Sequence, residues 1–439
     1  MNRLLTTFTG GLISLMIASC SGEMVDYSNN VINTPDQSEN SGNQESPAIP
    51  EVTPPSAASA PLSSIASENI GNFNDFSLKF YLANSEKTRD NVCVSPFSVG
   101  SVLGMIANGD DGEARDEILK VLGFEESRLG MDALNTYYQT LLSNLPNMDK
   151  DITCNITNTL WLDPFKYVIR KPFMQTLSDH YYAYLIGIDP NGERGKDAIN
   201  GFVSRYTNGL IENFLQKPLE DIELAFLNTF YFKAMWSEGF DENLTTEGTF
   251  CDINYHEQKT DFMIMESILE YAHTEDGTKA VRLNYGKSKQ LSMTFVLPTS
   301  DINHQCLDEI MTAENLKQID RNMSEEQIIV SIPKFEVESN NPKTLEILKD
   351  MGLNKCCKYG VEGPFKLITE KSSFFLKDFI HATKLKVDES GSEGAAASLG
   401  GMANECVANQ IVFNRPFIFY IRENTTGAIL FIGSVKTFQ

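Results

Sequence analysis

Five histidines (His180, His256, His273, His304 and His381) and eight cysteines are the residues of this 439-residue chain best suited to chemistry. Their spacing assembles no catalyst. The histidines share no interval suited to a metal site, and the chain has no HExxH, GxSxG, GxGxxG or Walker-type motif. Cys356 and Cys357 are adjacent, which is awkward for two ligands of one tetrahedral ion. No serine or cysteine triad is indicated, so no enzyme activity, cofactor or metal is expected. What stands out is the run from Gly391 to Ser398, GSEGAAAS, small residues between two apolar blocks. A flexible linker so close to the C-terminus has nothing to link, because strand-like sequence rather than a domain follows. The run therefore reads as a long exposed loop returning to a core. Cys406 falls in that loop and is the thiol placed to be exposed.

The rest of the chain must present the loop. Asn74 to Tyr81 (NDFSLKFY) opens an amphipathic helix. Val92 to Val94 is a short strand running into Ser95-Pro96, where Ser95 can cap and Pro96 suits the first helical position. The helix from Val99 to Asn108 is apolar enough to be buried behind a sheet. Asp116 to Leu122, Leu134 to Leu145, Phe173 to Tyr184, a segment from Ile199 to Gly209, and Thr344 to Met351 read as further helices. Asn155 to Leu162 alternates as a strand, and Ala225 to Trp236 (AFLNTFYFKAMW) is a mostly apolar central strand holding one buried amide, Asn228. Val281 to Tyr285, Leu291 to Leu297 and Gln327 to Val337 are later strands. Phe374 to Val387 is expected to pass through a helical turn into a strand. Long central strands with helices clustered early suggest α+β in one large domain.

The composition, 41% apolar and 22% charged, is that of a folded protein. A formal charge of −23 excludes a nucleic-acid backbone as the natural partner, since no excess of Lys or Arg is present to replace counterions. Residues 1–19 read as a signal peptide: Arg3 is basic, and Leu12 to Ala18 is apolar but too short to span a bilayer. Cys20 directly after Ile17-Ala18-Ser19 resembles the lipobox of bacterial lipoproteins, which implies an acylated first mature residue. Ser21 after it implies sorting to the outer membrane or cell surface, facing the extracellular space or the periplasm. Residues 20–68, with six prolines between Pro35 and Pro61 and no Lys or Arg, read as a disordered tether. Residues 69–439 form the folded domain. Without Cys20 the cysteines number seven, which argues against a disulfide framework.

Several segments together resemble the serpin family over roughly Phe73 to Phe438. The block Phe413-Asn414-Arg415-Pro416-Phe417-Ile418-Phe419, continued by Ile421 to Gly427 and Leu430 to Gly433, is similar to the family's C-terminal signature. Asn228 to Trp236 resembles its central strand, Ser95-Pro96-Phe97-Ser98 the start of its buried second helix, and Glu389 to Ser398 its hinge. Phe202 departs from the family's usual Trp, and Gly394 from the commoner Ala. The resemblance implies a central mixed β-sheet, additional sheets, about eight or nine helices, an exposed reactive loop and a monomer. It also implies a suicide-substrate inhibitor of serine-type endopeptidases. A protease attacks the loop, forms an acyl-enzyme ester and is carried across the molecule as the cleaved loop inserts into the main sheet. The active fold is then kinetically rather than thermodynamically favoured. A non-inhibitory member, acting as a binding or structural protein at the cell surface, is the alternative.

Insertion makes demands on the residues Gly391, Ser392, Glu393, Gly394, Ala395, Ala396, Ala397 and Ser398. If Ser392 faces the core, so do Gly394, Ala396 and Ser398, all small, while Glu393 faces water. By the same resemblance Ser95, Ser98, Asn228 and His381 form a structural hydrogen-bonded cluster where the sheet opens, and Trp236 gates the loop's entry. The family's commonest loop length places the scissile bond at Glu405–Cys406. Glu405 calls for a glutamyl-specific protease with a basic pocket; Ala403 and Val407 offer an elastase-like one, and subtilisin-like enzymes complete the set. Trypsin-like enzymes find no Arg or Lys there. A cysteine protease is a second partner class, whose thioester would require faster insertion. Cys406 either crosslinks two molecules or is a chance small residue.

Overall fold

A computed structural model of the chain describes residues 50–438 apart from 87, 126–129, 300–306, 308–309, 359–362, 371–372 and 393–408, together with backbone stretches at 17–18, 24–25 and 31–32. Cys20, Glu405, Cys406 and the inserting residues from Glu393 to Ser398 lie outside the described residues.

Eight α-helices are described: α1 (Ser67–Ser85), α2 (Pro96–Ala107), α3 (Glu113–Leu122), α4 (Gly130–Asn144), α5 (Lys171–Tyr181), α6 (Gly192–Tyr206), α7 (Ala313–Asn322) and α8 (Thr344–Asp350). The Ser95 side chain caps α2 by accepting from Ser98 N, with Pro96 in the first turn, where its missing N–H is not needed. All but one of the residues of α2 are buried, as expected of a helix with no polar face. Fully burying Phe97, Leu103 or Met105 stabilises the fold by about 1.5–3 kcal/mol each.

Three two-residue strands, β1 (Ile17–Ala18), β2 (Met24–Val25) and β3 (Val31–Ile32), come first. They are followed by β4 (Val92–Val94), β5 (Ile152–Leu162), β6 (Tyr184–Ile186), β7 (Leu224–Met235), β8 (Thr246–Cys251), β9 (Glu257–His273), β10 (Lys279–Tyr285) and β11 (Leu291–Leu297). The last are β12 (Ser324–Pro333), β13 (Phe335–Asn341), β14 (His381–Asp388), β15 (Gly391–Ser392), β16 (Asn409–Val412), β17 (Phe417–Glu423) and β18 (Ile429–Val435). The central sheet runs β13-β14-β15-β7-β5-β6-β3. It is mixed: β5–β6 and β6–β3 are parallel, the other pairs antiparallel. A nine-stranded sheet runs β16-β12-β9-β10-β11-β17-β18-β4, with β8 on β9. β11 and β18 are buried at every position, which explains why both are mostly apolar on both faces.

Three expectations are corrected. Gln327 to Val337 is two strands: Pro333 ends β12 in one sheet, Lys334 N donates to Asp261 O at 2.9 Å, and β13 enters the other sheet. Phe374 to Ile380 forms no helical turn but an irregular stretch leading into β14. The end of the expected tether also lies on the domain. Val52 is buried beside Trp161, Ile186 and Phe202; its N–H donates to the Tyr206 hydroxyl at 2.7 Å, and that hydroxyl donates to Pro50 O at 3.0 Å. Asn144 Nδ2 donates to Ala60 O at 2.8 Å, and Leu62 and Ile65 are buried.

Candidate functional site

The hinge enters the central sheet as a two-residue strand. β15 lies between β14 and β7, with Ser392 opposite Val387 on one side and Ala234 on the other, and Gly391 opposite Asp388 and Met235. Gly391 has φ of +150°, and a Cβ there would lie 2.0 Å from Ala234 O. Only glycine fits this approach. Ser392 is fully buried, and its hydroxyl lies 2.7 Å from that of Tyr285. The Trp236 and Tyr285 rings stack with centroids 4.4 Å apart and planes 9° apart. Trp236 Nε1 donates to Asp388 O at 3.1 Å, and Trp236 N to Ser390 O at 2.9 Å.

Glu389, just before the hinge glycine, is buried and ion-paired to Lys334 Nζ at 2.7 Å; Thr245 Oγ1 donates to the same carboxylate at 2.7 Å. Burial pushes the Glu389 carboxyl up, but the Lys334 ammonium and the Thr245 hydroxyl outweigh it and hold it below its ordinary value. The turn is closed by Asp388, whose Oδ1 accepts from Ser390 N at 3.0 Å and Ser390 Oγ at 2.6 Å.

Past the two residues of β15 no pairing joins β14 to β7 among the described residues. A cavity of about 480 Å³ lies there, lined by Asn228 and Thr229 of β7 and by His381 and Thr383 of β14. Ser95, Ser98 and Val102, at the cap and on α2, and Ile199 and Val203 of α6 also line it. The central sheet is thus closed by the hinge at one end and open below it.

The polar residues around the gap form two sets, both reaching α2. In one, Ser95 N donates to His381 Nε2 at 3.0 Å, and Ser95 Oγ donates to Leu430 O at 2.9 Å and lies 3.1 Å from Ser98 Oγ. Burial holds the His381 imidazole down to about 4, so it is neutral at pH 7 and its Nε2 accepts. Asn228 does not join this set. Its Nδ2 donates to Asn158 Oδ1 at 2.9 Å, which also accepts from Ser101 Oγ at 3.1 Å, while Asn158 Nδ2 donates to Tyr181 O at 2.8 Å. Asn228 Oδ1 is buried with no partner in the structure. An unpaired buried acceptor is costly, and this one belongs to a residue lining the gap.

Sequence reasoning missed Tyr285, Lys334, Thr245, Asn158 and Ser101. A signal for Asn158 exists: it stands directly opposite Asn228, and Thr157 opposite Thr229, their hydroxyls 2.6 Å apart. Both strands therefore carry an Asn–Thr pair inside apolar surroundings. Among the described residues no cluster of three or more His, Cys, Asp or Glu could hold a metal ion, and no helix is long and apolar enough to cross a membrane. Cys93, Cys154 and Cys356 are buried, and burial pushes the Cys93 thiol up to about 12.

Comparison with known proteins agrees with this geometry. The family model described as "Serpin (serine protease inhibitor)" matches residues 71–437. Intracellular coagulation inhibitor 2 of Tachypleus tridentatus is 31% identical over 356 residues, covering 79% of this chain and 85% of that protein. Serpin-ZX of Arabidopsis thaliana is 30% identical over 395 residues, covering 84% and 98%. Among solved structures, that of the thermophilic protein tengpin in the native state superposes with a TM-score of 0.75 at 26% identity, covering 88% of this chain and 97% of that one.

Proposed function

The chain belongs to the serpin family, and from that premise we propose that it inhibits serine-type endopeptidases by a suicide-substrate mechanism. The observation that supports this best is β15, a two-residue start of a strand already seated between β14 and β7 above an open gap. In this reading the protease serine oxygen attacks the Glu405 carbonyl. The Glu405–Cys406 bond breaks, the new amine of Cys406 takes a proton from the protease's general acid, and Glu405 is left as an acyl ester. The loop, freed at one end, lengthens β15 down the gap. Residues after Ser392 replace cavity with strand, and Asn228 Oδ1 gains access to a donor. Small side chains at Gly394, Ala396 and Ser398 suit the inward face of that strand, and Glu393 suits the outward one.

The proposed targets are elastase-like, glutamyl-specific or subtilisin-like enzymes. We further propose that Cys20 is acylated and holds the domain at a bacterial outer membrane or cell surface. Labelling with a radioactive fatty acid tests this, and label persisting in Cys20→Ser would refute it. For the inhibitor reading, the full chain is incubated with one protease of each class and resolved on a denaturing gel. A covalent complex, with a released fragment beginning at Cys406 or a neighbour, is expected. Clean cleavage without complex by every protease would instead indicate a non-inhibitory binding protein.

A further inference from the structure

Every residue of α2 is buried except Val102, and Val102 lines the cavity below the hinge. Its side chain is half-open because the gap reaches it through the sheet. Alternate residues of β7 face opposite sides of that sheet. Phe230 packs on Phe97 of α2 with ring centroids 5.9 Å apart, whereas Leu227 clusters with Ile199 and Phe202 of α6. Phe230 and Leu227 both line the cavity, as do Ile106 of α2 and Ile199 of α6. The cavity therefore passes from one face of the central sheet to the other. Its width is set by β15, which holds β14 and β7 one strand apart, about 10 Å between backbones. Such a slot suits an unbranched chain.

The polar groups of the lining are mostly engaged within the protein. Thr207 Oγ1 donates to Val203 O at 2.7 Å, Thr383 Oγ1 donates to Cys93 O at 2.5 Å, and the Thr229 hydroxyl meets that of Thr157. Lys384 is paired with Glu336 and Glu338. Asp221, Glu223, Lys377 and Asp378 are exposed, so their charge stays at the mouth. Among the described residues, Asn228 Oδ1 is the one buried side-chain polar atom of this lining without a partner. A molecule that satisfies it must bring a hydrogen-bond donor and no charge. At about 480 Å³ the cavity is of the size that holds small-molecule ligands. We propose that it binds an unbranched aliphatic molecule headed by a neutral hydrogen-bond donor, the chemistry of a long-chain primary alcohol. The hydroxyl donates to Asn228 Oδ1, and the alkyl chain runs through the gap towards Leu227 and Ile199. The site lies on the path proposed for the cleaved loop, so any effect on trapping rests on that reading, whereas binding does not.

The test is isothermal titration of the intact full chain with n-decanol and with decyl methyl ether, which has the same chain but no donor. One decanol per chain is expected, with a raised unfolding midpoint. The ether should bind at least about tenfold more weakly. Asn228→Leu should erase that preference. Val102→Phe, which puts a ring into space that the wild-type side chain leaves open, should abolish binding of both. Thermal unfolding of each variant without ligand checks that it is folded. No saturable binding to the wild-type chain, or equal affinity for alcohol and ether, would overturn the proposal. So would a preference that survives in Asn228→Leu, or undiminished binding by folded Val102→Phe. No protease enters these measurements, so their failure leaves the inhibitor reading standing, and the failure of that reading leaves the site.

Discussion

The Tyr285 hydroxyl lies 2.7 Å from that of Ser392, inside a sheet that Ser392 enters from the loop. Because Ser392 is fully buried, this bond holds the hinge in the sheet. Tyr285→Phe leaves a buried hydroxyl unpaired, at about 1–3 kcal/mol. Amide exchange at Gly391 and Ser392 should accelerate roughly 5- to 150-fold by the same free energy. Ser392→Ala in the Tyr285→Phe background should add little, and additive effects in that double-mutant cycle would dismiss the pair.

Glu389 and Lys334 clamp the turn ahead of the hinge. Breaking a fully buried pair costs about 3–5 kcal/mol, but the Lys334 side chain is 38% exposed, so about 1–2 kcal/mol is expected. Lys334→Met should lower the unfolding midpoint and speed spontaneous loss of trapping activity on warming. Glu389→Gln should act in the same direction. Equal half-lives for variants and wild type would show that the clamp does not govern the hinge.

His381 gives the gap a pH dependence of known sign. Its folded value, about 4, lies below the ordinary 6.5, so its contribution is complete above 6.5 and is lost as pH falls towards 4. The loss amounts to about 3 kcal/mol at most. Denaturant unfolding across this window should show it, and His381→Gln should flatten that part of the curve. NMR titration of the His381 ring is the independent check: half-protonation near pH 6.5 in the folded protein would contradict this account.

The proposed insertion, with alternate loop residues facing into and out of the sheet, makes a prediction about two neighbours. Glu393→Arg keeps a charge on the outward face and should leave the yield of covalent complex nearly unchanged. Gly394→Arg puts a charge on the inward face, where burial is costly, and should turn most of the complex into cleaved product. Equal yields from the two variants would remove the alternation.

Much of this was legible because apolar runs report central strands directly. Ala225 to Trp236 and Leu291 to Leu297 lie within one residue of β7 and β11, and Ser95-Pro96 marked the start of α2. β9 was not recognised: it spans 17 residues but buries only alternate stretches, leaving Ile268 64% exposed. The polar sites were read unevenly for a related reason. Ser95 and His381 stand out as polar residues in apolar surroundings, whereas Lys334 and Thr245 look like ordinary surface residues until folding brings Glu389 to them. Asn228 was expected with His381, but the direct cross-strand neighbour Asn158 takes its amide instead.

The central claim is that the cleaved loop becomes a strand in the gap below Ser392. The most direct measurement is thermal unfolding of the full chain before and after cleavage near Glu405 by a small amount of a protease that is then removed. Filling a cavity of about 480 Å³ and extending β15 should raise the unfolding midpoint by roughly 20 °C or more. An unchanged or lower midpoint in the cleaved chain would contradict the account.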